Sequence, residues 1–175
     1  GTPVTVENLA NADFGGVELV LSAPGASVSR EFAPRAVAVG AIVVDKSSAF
    51  RMDPDVPLVV PEVNPEAAKV HKGILSSPNC STIPLVLALA PLHREYGIER
   101  VIVSTYQAVS GAGRLAVDEL MQQIAAVFGQ RPTDVKVLPH QIAFNVVPQV
   151  EVFRPEDEGF STEETKIVEE SRKIL

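Results

Sequence analysis

The stretches Val17-Glu18-Leu19-Val20-Leu21-Ser22 and Gly40-Ala41-Ile42-Val43-Val44-Asp45 decide the fold. Each is an apolar run with little polar alternation, the pattern of strands in a parallel sheet covered on both faces. Between them the turn Ala23-Pro24-Gly25-Ala26-Ser27 leads into a helical pattern over about residues 28–39, which Gly40 breaks. Strand, crossover helix and strand in this order make a βαβ unit.

Further along, Pro54, Pro57, Pro61 and Pro65 punctuate a stretch containing the short apolar run 56–60. Residues 72–76 read as another strand, which delivers the chain to Ser77-Pro78-Asn79-Cys80-Ser81-Thr82-Ile83. A helix is expected from there to Tyr96, stopped by Gly97 and kinked at Pro91. Residues 98–106 carry Val101, Ile102, Val103 and Thr105, a β-branched set that predicts a strand. Leu115, Val117, Leu120, Ile124 and Val127 fall at helical spacing and predict a helix over 114–128, closed by Gly129. The Pro-rich apolar segments of 135–153 predict strands joined by loops. A charged helix begins at about Thr162, where Ser161 or Thr162 with Glu164 or Thr165 offers a capping arrangement.

Composition excludes several classes of function. Fifteen Lys and Arg against 22 Asp and Glu give a net charge of −7, and the basic residues are scattered. That leaves no track for nucleic-acid phosphates and no patch for anionic lipid. Tryptophan is absent and aromatics are 5%, so there is no base-stacking platform. The longest apolar stretch, about 83–92, is too short to span a bilayer, and no basic region precedes an apolar one at the start. A single cysteine excludes an internal disulfide and fits a reducing compartment, so the expectation is a cytoplasmic protein without membrane or nucleic-acid partners. His71, His93 and His140 lack metal-ligand spacing, so no metal site is expected. His71 and His93 read as surface residues and His140 as structural.

The single cysteine, Cys80, sits where a strand gives way to a helix. A thiolate is the nucleophilic form of cysteine, and the unpaired N–H groups and macrodipole of a helix start favour negative charge. Pro84 is tolerated in a helix only within the first turn, and Ser81 and Thr82 are turn and cap formers, which together place the helix entrance beside Cys80.

Several separate motifs occur here in one order: DKSSAFRM (45–52), VPLVVPEVN (56–64), SPNCSTI (77–83), VIVSTYQAVSGAG (101–113), IAFNVVP (142–148) and STEETK (161–166). With them the chain resembles aspartate-β-semialdehyde dehydrogenase over nearly all its length. The resemblance implies an α/β fold, with the C-terminal part of a Rossmann-like dinucleotide-binding domain over residues 1–78. Part of an α+β catalytic and dimerisation domain of the glyceraldehyde-3-phosphate-dehydrogenase-like type follows over 79–175. The implied reaction is the reversible, phosphate-dependent, NADPH-dependent reduction of L-aspartyl-β-phosphate to the semialdehyde through a cysteine thioester. It serves lysine, threonine and methionine biosynthesis in a homodimer or homotetramer.

Carried over residue by residue, the resemblance makes Cys80 the nucleophile and Gln107 the glutamine that positions the acyl group. An amide can donate to a carbonyl and accept from an amine without changing charge, though a strand-end glutamine can equally cap backbone groups. Arg51 matches the phosphate-binding arginine, whose planar fork suits a dianion. Lys166 matches a second cationic contact to that phosphate, and Glu163 the carboxylate that pairs with the substrate's amino group. Their spacing of three puts both on one helix face, as in any solvated Glu-x-x-Lys. Asn79 contacts phosphate or simply caps the helix. NADP(H) would be contacted by Ser22, Ala23, Gly25 and Ser47 on the sheet side and by Ser110 and Gly111 near the nicotinamide, positions that plain turn chemistry also explains.

Two substitutions depart from the family pattern: Lys46 stands where Asn is usual and Pro24 where Gly is common. The family's Gly-rich pyrophosphate loop would lie upstream of Gly1. The arginine for the substrate carboxylate and the acid–base histidine would lie downstream of Leu175. The segment is therefore expected to be an internal portion of a longer enzyme, binding cofactor weakly and lacking a general base when isolated. Two alternatives are an N-acetyl-γ-glutamyl-phosphate reductase-like enzyme, which runs the same chemistry on a longer acid, and a non-catalytic homologue acting in subunit association.

Overall fold

Three short parallel strands, β1 (Leu19–Ser22), β2 (Ile42–Asp45) and β3 (Ile74–Ser76), form one sheet in the order β1-β2-β3 in the computed structural model, which describes residues 2–175. Leu19 pairs with Ile42 and Ser22 with Asp45, while Val43 pairs with Ile74 and Asp45 with Ser76. Ser22, Asp45 and Ser76 therefore end their strands side by side, and polar side chains gather at the C-terminal edge of an otherwise apolar sheet. The crossover from β1 to β2 is helix α1 (Ala26–Ala38), which starts two residues ahead of the sequence reading because Gly25 caps it by backbone geometry alone. Ala33 and Ala36 let α1 sit close against Val43, and Phe14, Val17, Val20, Val37, Phe50 and Ile74 pack around that contact. Gly73 is required beside it. Its φ is +102°, and a Cβ there would lie 2.5 Å from Val37 Cγ1.

The link from β2 to β3 lies partly against the sheet. Leu58 makes a parallel bridge to Ser76, Val59 N–H donates to Ser76 O, and Ser76 N–H donates to Pro57 O. The apolar run of 56–60 is thereby buried. Leu58, Val60 and Val63 pack with Val86 and Ala90 of helix α2 (Thr82–Tyr96) and with Ile174 of helix α4 (Thr162–Ile174). Leu58, Val60 and Val86 are each at most 2% exposed, and burying such side chains contributes about 1.5–3 kcal/mol apiece. Pro84 is the third residue of α2, Pro91 lies inside it, and Gly97 ends it at φ +67°. Among the described residues, no helix is long and apolar enough to cross a membrane.

The chain divides into two compact units: the residues up to Glu99 together with Ile167–Leu175, and Arg100–Lys166. In the second, helix α3 (Arg114–Phe128) forms as its spacing predicts, with Val117, Leu120 and Ile124 half-buried and the most deeply buried positions beside them. Ala116, Glu119 and Gln123 are enclosed, whereas Leu115 is 70% and Phe128 77% exposed. The strands expected over 98–106 and 135–153 are absent among the described residues. An extended segment becomes a strand only by pairing, and among the described residues no strand pairs with Val101, Ile102 and Val103, which are exposed. Over 135–153 side chains replace the ladder. Glu119 accepts from the N–H groups of Lys136, Val137 and Leu138, and Gln123 Oε1 accepts from those of Ile142 and Ala143. The pairing that remains there is one antiparallel bridge, Phe153 to Ser161.

Helix α4 opens with the reciprocal arrangement its sequence offered. Ser161 N–H donates to Glu164 Oε2 at 2.6 Å, and Glu164 N–H donates to Ser161 Oγ at 3.3 Å.

Candidate active site

At the C-terminal edge of the sheet, Asp45 is fully buried and accepts from Ser29 Oγ (2.7 Å), Ser47 Oγ (2.7 Å) and Ser47 N–H (3.1 Å). Ser47 Oγ also accepts from Ala49 N–H, and Ser22 Oγ lies 3.2 Å from Ser29 Oγ. The serines expected to face a cofactor are thus held in one network, with Ser47 largely committed to it. Ser22, Ala23 and Pro24 border a mostly apolar hollow of about 190 Å³ that Phe14 and Phe32 also line. A Cβ built on Gly25 meets nothing within 4 Å, so the approach to the first turn of α1 is open. Small residues, hydroxyls and an apolar hollow at strand C-termini fit a nucleotide cofactor. Lys46 is exposed, and its backbone serves the fold: N–H donates to Ser22 O, and O accepts from Arg51.

The loops after β2 and β3 meet at Arg51. Its guanidinium is buried and donates through Nε to Ser77 O (2.9 Å), NH2 to Lys46 O (2.8 Å) and NH1 to Glu170 Oε1 (3.0 Å). The other Glu170 oxygen accepts from Asn79 N–H at 2.6 Å. Asn79 is buried and turns the chain: its Oδ1 accepts from Ser81 N–H and its carbonyl from Ile83 N–H. Ser81 stands at the cap position of α2 without a side-chain bond, so Asn79 does the turning that the sequence assigned to Ser81 and Thr82. Cys80, between them, is exposed. Pro78 and Asn79 are buried, so the thiol stands on a fixed base at the helix entrance.

Lys173 secures the same loop. Its Nζ donates to the carbonyls of Arg51 (2.7 Å), Asp53 (2.7 Å) and Val56 (2.9 Å). Burial draws its pKa below the ordinary lysine value and Asp53 opposes this, while three carbonyl acceptors match the three protons of an ammonium.

In the second unit, Gln107 Nε2 donates to Glu163 Oε1 at 3.2 Å, and Lys166 Nζ lies 3.8 Å from Glu163 Oε2. These three expected site residues are brought together. Lys166 is closer to Glu151, whose Oε1 accepts from it while Oε2 accepts from Thr162 Oγ1. Burial raises the Glu151 carboxyl, but these bonds outweigh it and hold the group below the ordinary glutamate range. Ser110 and Gly111 lie on an exposed 3-10 turn, Val109–Ala112. His140 is exposed, whereas His71 and His93 are half-buried and accept from the N–H groups of Gly73 and Ile98. The imidazoles that read as surface residues are thus the structural ones.

Glu170, Lys173 and Glu151 were not singled out in the sequence, where Glu169-Glu170-Ser171-Arg172-Lys173 looks like a solvated helix end. A signal was present. Glu163, Lys166, Glu170 and Lys173 recur at coiled-coil-like spacing along α4, in register with buried Ile167 and Ile174.

A three-stranded parallel sheet whose polar C-terminal edge faces the loops carrying Arg51 and Cys80 defines an α/β protein of the class that holds ligands beyond its strand ends. Two family descriptions match in sequence: "Semialdehyde dehydrogenase, NAD binding domain" over residues 1–71 and "Semialdehyde dehydrogenase, dimerisation domain" over 89–175. The fold is accordingly a Rossmann-like dinucleotide-binding domain followed by a dimerisation domain of the glyceraldehyde-3-phosphate-dehydrogenase-like type. Aspartate-semialdehyde dehydrogenases of Bacillus subtilis and Aquifex aeolicus are 47% and 49% identical over all of this chain and 52% of their own lengths. The crystal structure of aspartate semialdehyde dehydrogenase II from Vibrio cholerae superposes with a TM-score of 0.92 at 44% identity, over 96% of this chain and 50% of that one. The chain belongs to the aspartate-semialdehyde dehydrogenase family and spans about half the length of the relatives it matches.

Proposed function

We propose that the protein catalyses the reversible, phosphate-dependent reduction of L-aspartyl-β-phosphate to L-aspartate-β-semialdehyde, with NADPH as reductant. The observation that carries the reading is Cys80, an exposed thiol at the entrance of α2 whose preceding residue is buried and pinned by a carboxylate. The Cys80 thiolate attacks the acyl carbon. A C–S bond forms, the C–O bond to phosphate breaks, and phosphate leaves with the electron pair. NADPH, held by the residues named below, would supply the hydride that the resulting thioester needs. Collapse of the thiohemiacetal returns the thiolate and frees the aldehyde. Arg51 orients the phosphate, Lys166 supplies a second cationic contact to it, and Asn79, next to the nucleophile in sequence, a further one. Gln107 positions the acyl group, and Glu163 pairs with the substrate ammonium, a role its bond to the Gln107 amide leaves chemically open.

Ser22, Ala23, Gly25 and Ser47 would hold NADP(H) on the sheet side, with Ser110 and Gly111 toward the nicotinamide. The functional division falls at residues 78/79, and the protein works in the cytoplasm as a homodimer or homotetramer. Exposed Val135, Val137, Phe144, Val146 and Val152 support association through the 135–153 region.

The test is oxidation of aspartate-β-semialdehyde by the protein as its gene encodes it, followed by NADPH absorbance with and without phosphate. Turnover should require phosphate, and Cys80→Ala should lower kcat by at least about 10³-fold. Activity retained without the thiol would refute the reading.

A further inference from the structure

We propose that Glu170 is a positioning residue of the acyl-phosphate site, fixing the Arg51 guanidinium with one oxygen and the peptide N–H before Cys80 with the other. The inference rests on the functional reading above. Glu170 is 1% exposed, and its two oxygens serve two segments far apart in sequence, Arg51 at 3.0 Å and Asn79 N–H at 2.6 Å. A buried carboxylate is a poor choice for stability alone, because apolar side chains of similar volume usually fill such a place as well or better. What a carboxylate adds is direction: two acceptors at a fixed separation, each able to hold one donor.

The consequence for Arg51 can be counted. A guanidinium has five N–H donors, and three are committed to Ser77 O, Lys46 O and Glu170. Two remain, the number a bidentate oxyanion takes. Glu170 also cancels the charge of Arg51, so phosphate would be held by oriented N–H bonds and not by net charge, which allows release as well as capture. The consequence for Cys80 is local. Holding the Asn79 peptide fixes the turn that aims the thiol at the end of α2.

Glu170→Gln tests this. Its amide would turn an NH₂ toward Arg51 or toward Asn79 N–H, setting donor against donor and releasing one of them. In the protein as its gene encodes it, we expect KM for phosphate to rise at least about fivefold while KM for the aldehyde moves less than about twofold. Inorganic phosphate should slow iodoacetamide alkylation of Cys80 in the wild type and lose that effect in the variant. Glu170→Asp keeps the charge but reaches one partner at most, and should show the same split if the glutamine variant does not fold. A lower kcat with both KM values and the phosphate protection unchanged would make Glu170 a purely structural residue and overturn the proposal. A wild-type protein without phosphate-dependent turnover would instead remove the reading of the site, and this role with it.

Discussion

Glu119→Ala should release one loop while leaving helix α3 intact. Glu119 is 6% exposed and accepts N–H bonds from Lys136 (2.7 Å), Val137 (2.6 Å) and Leu138 (3.3 Å). Hydrogen bonds to a charged group are worth about 1.5–3 kcal/mol each, but residues 136–138 are mostly exposed and water can replace the lost acceptor. Relief of the carboxylate's own burial also offsets part of the loss. These offsets bring each bond below that range, to about 1 kcal/mol, and the three to about 3 kcal/mol in all, which is roughly 100-fold in a local opening equilibrium. Amide hydrogen exchange followed by NMR is the assay. The amides of 136–138 should exchange about 100-fold faster, while those of Ile142 and Ala143, held by Gln123, should change less than about tenfold.

A pH dependence follows with a definite sign. Burial pushes the Glu119 carboxyl up, but the three N–H bonds and the Lys136 charge more than reverse this and leave it below the ordinary glutamate value. The stabilisation is therefore complete above the unfolded carboxylate range and lost as pH falls through the lowered folded value. The variant should lack that acid-side loss. Unchanged exchange at 136–138, or equal acceleration at every amide, would refute the reasoning.

Gly73→Ala should destabilise by about 2–4 kcal/mol, combining a positive-φ penalty with a Cβ 2.5 Å from Val37, and Val37→Ala in the same chain should recover only the packing part. Urea unfolding measures both. Lys173→Met removes the donor to three carbonyls and should lower the melting temperature, with faster proteolysis inside 51–56. A variant as resistant as wild type would mean that the loop holds without it. Lys166→Met should move the Glu151 carboxyl to its ordinary range or above, since Lys166 is the largest influence lowering it, and a carboxyl-carbon NMR titration that does not move would contradict the pairing.

Much of the first unit was legible because local pattern and tertiary result coincide there. Val43 is apolar, extended and central, and Gly40 and Gly97 end their elements at positive φ as their positions suggest. Cys80 was marked out locally, by the turn and cap residues that place a helix entrance beside it, whereas Arg51 drew notice only through the order of several motifs, since an arginine is not informative alone. The second unit misled because β-branched residues such as Ile102 report a preference for extended backbone and not the presence of a partner strand. In α3 helical spacing finds the helix and a half-buried apolar stripe but not the deeper burial of Glu119 and Gln123, which satisfy backbone groups that no side-chain pattern displays. Glu170 was hidden in the same way, its partners being a peptide N–H and an arginine more than a hundred residues away.

Glu119 and Gln123 grip the 136–143 segment by its main chain, and a main chain is the same whatever residues it displays. Lys136, Val137 and Leu138 are consequently available for exchange, proline excepted because it has no N–H to give. A combinatorial library randomised at those three positions should retain most of its folded members, whereas one randomised at Glu119 and Gln123 should lose most. Ala143, with no exposed surface, marks where that freedom stops. Drift among related proteins should follow the same division, with variable loop residues supported by two constant helix positions.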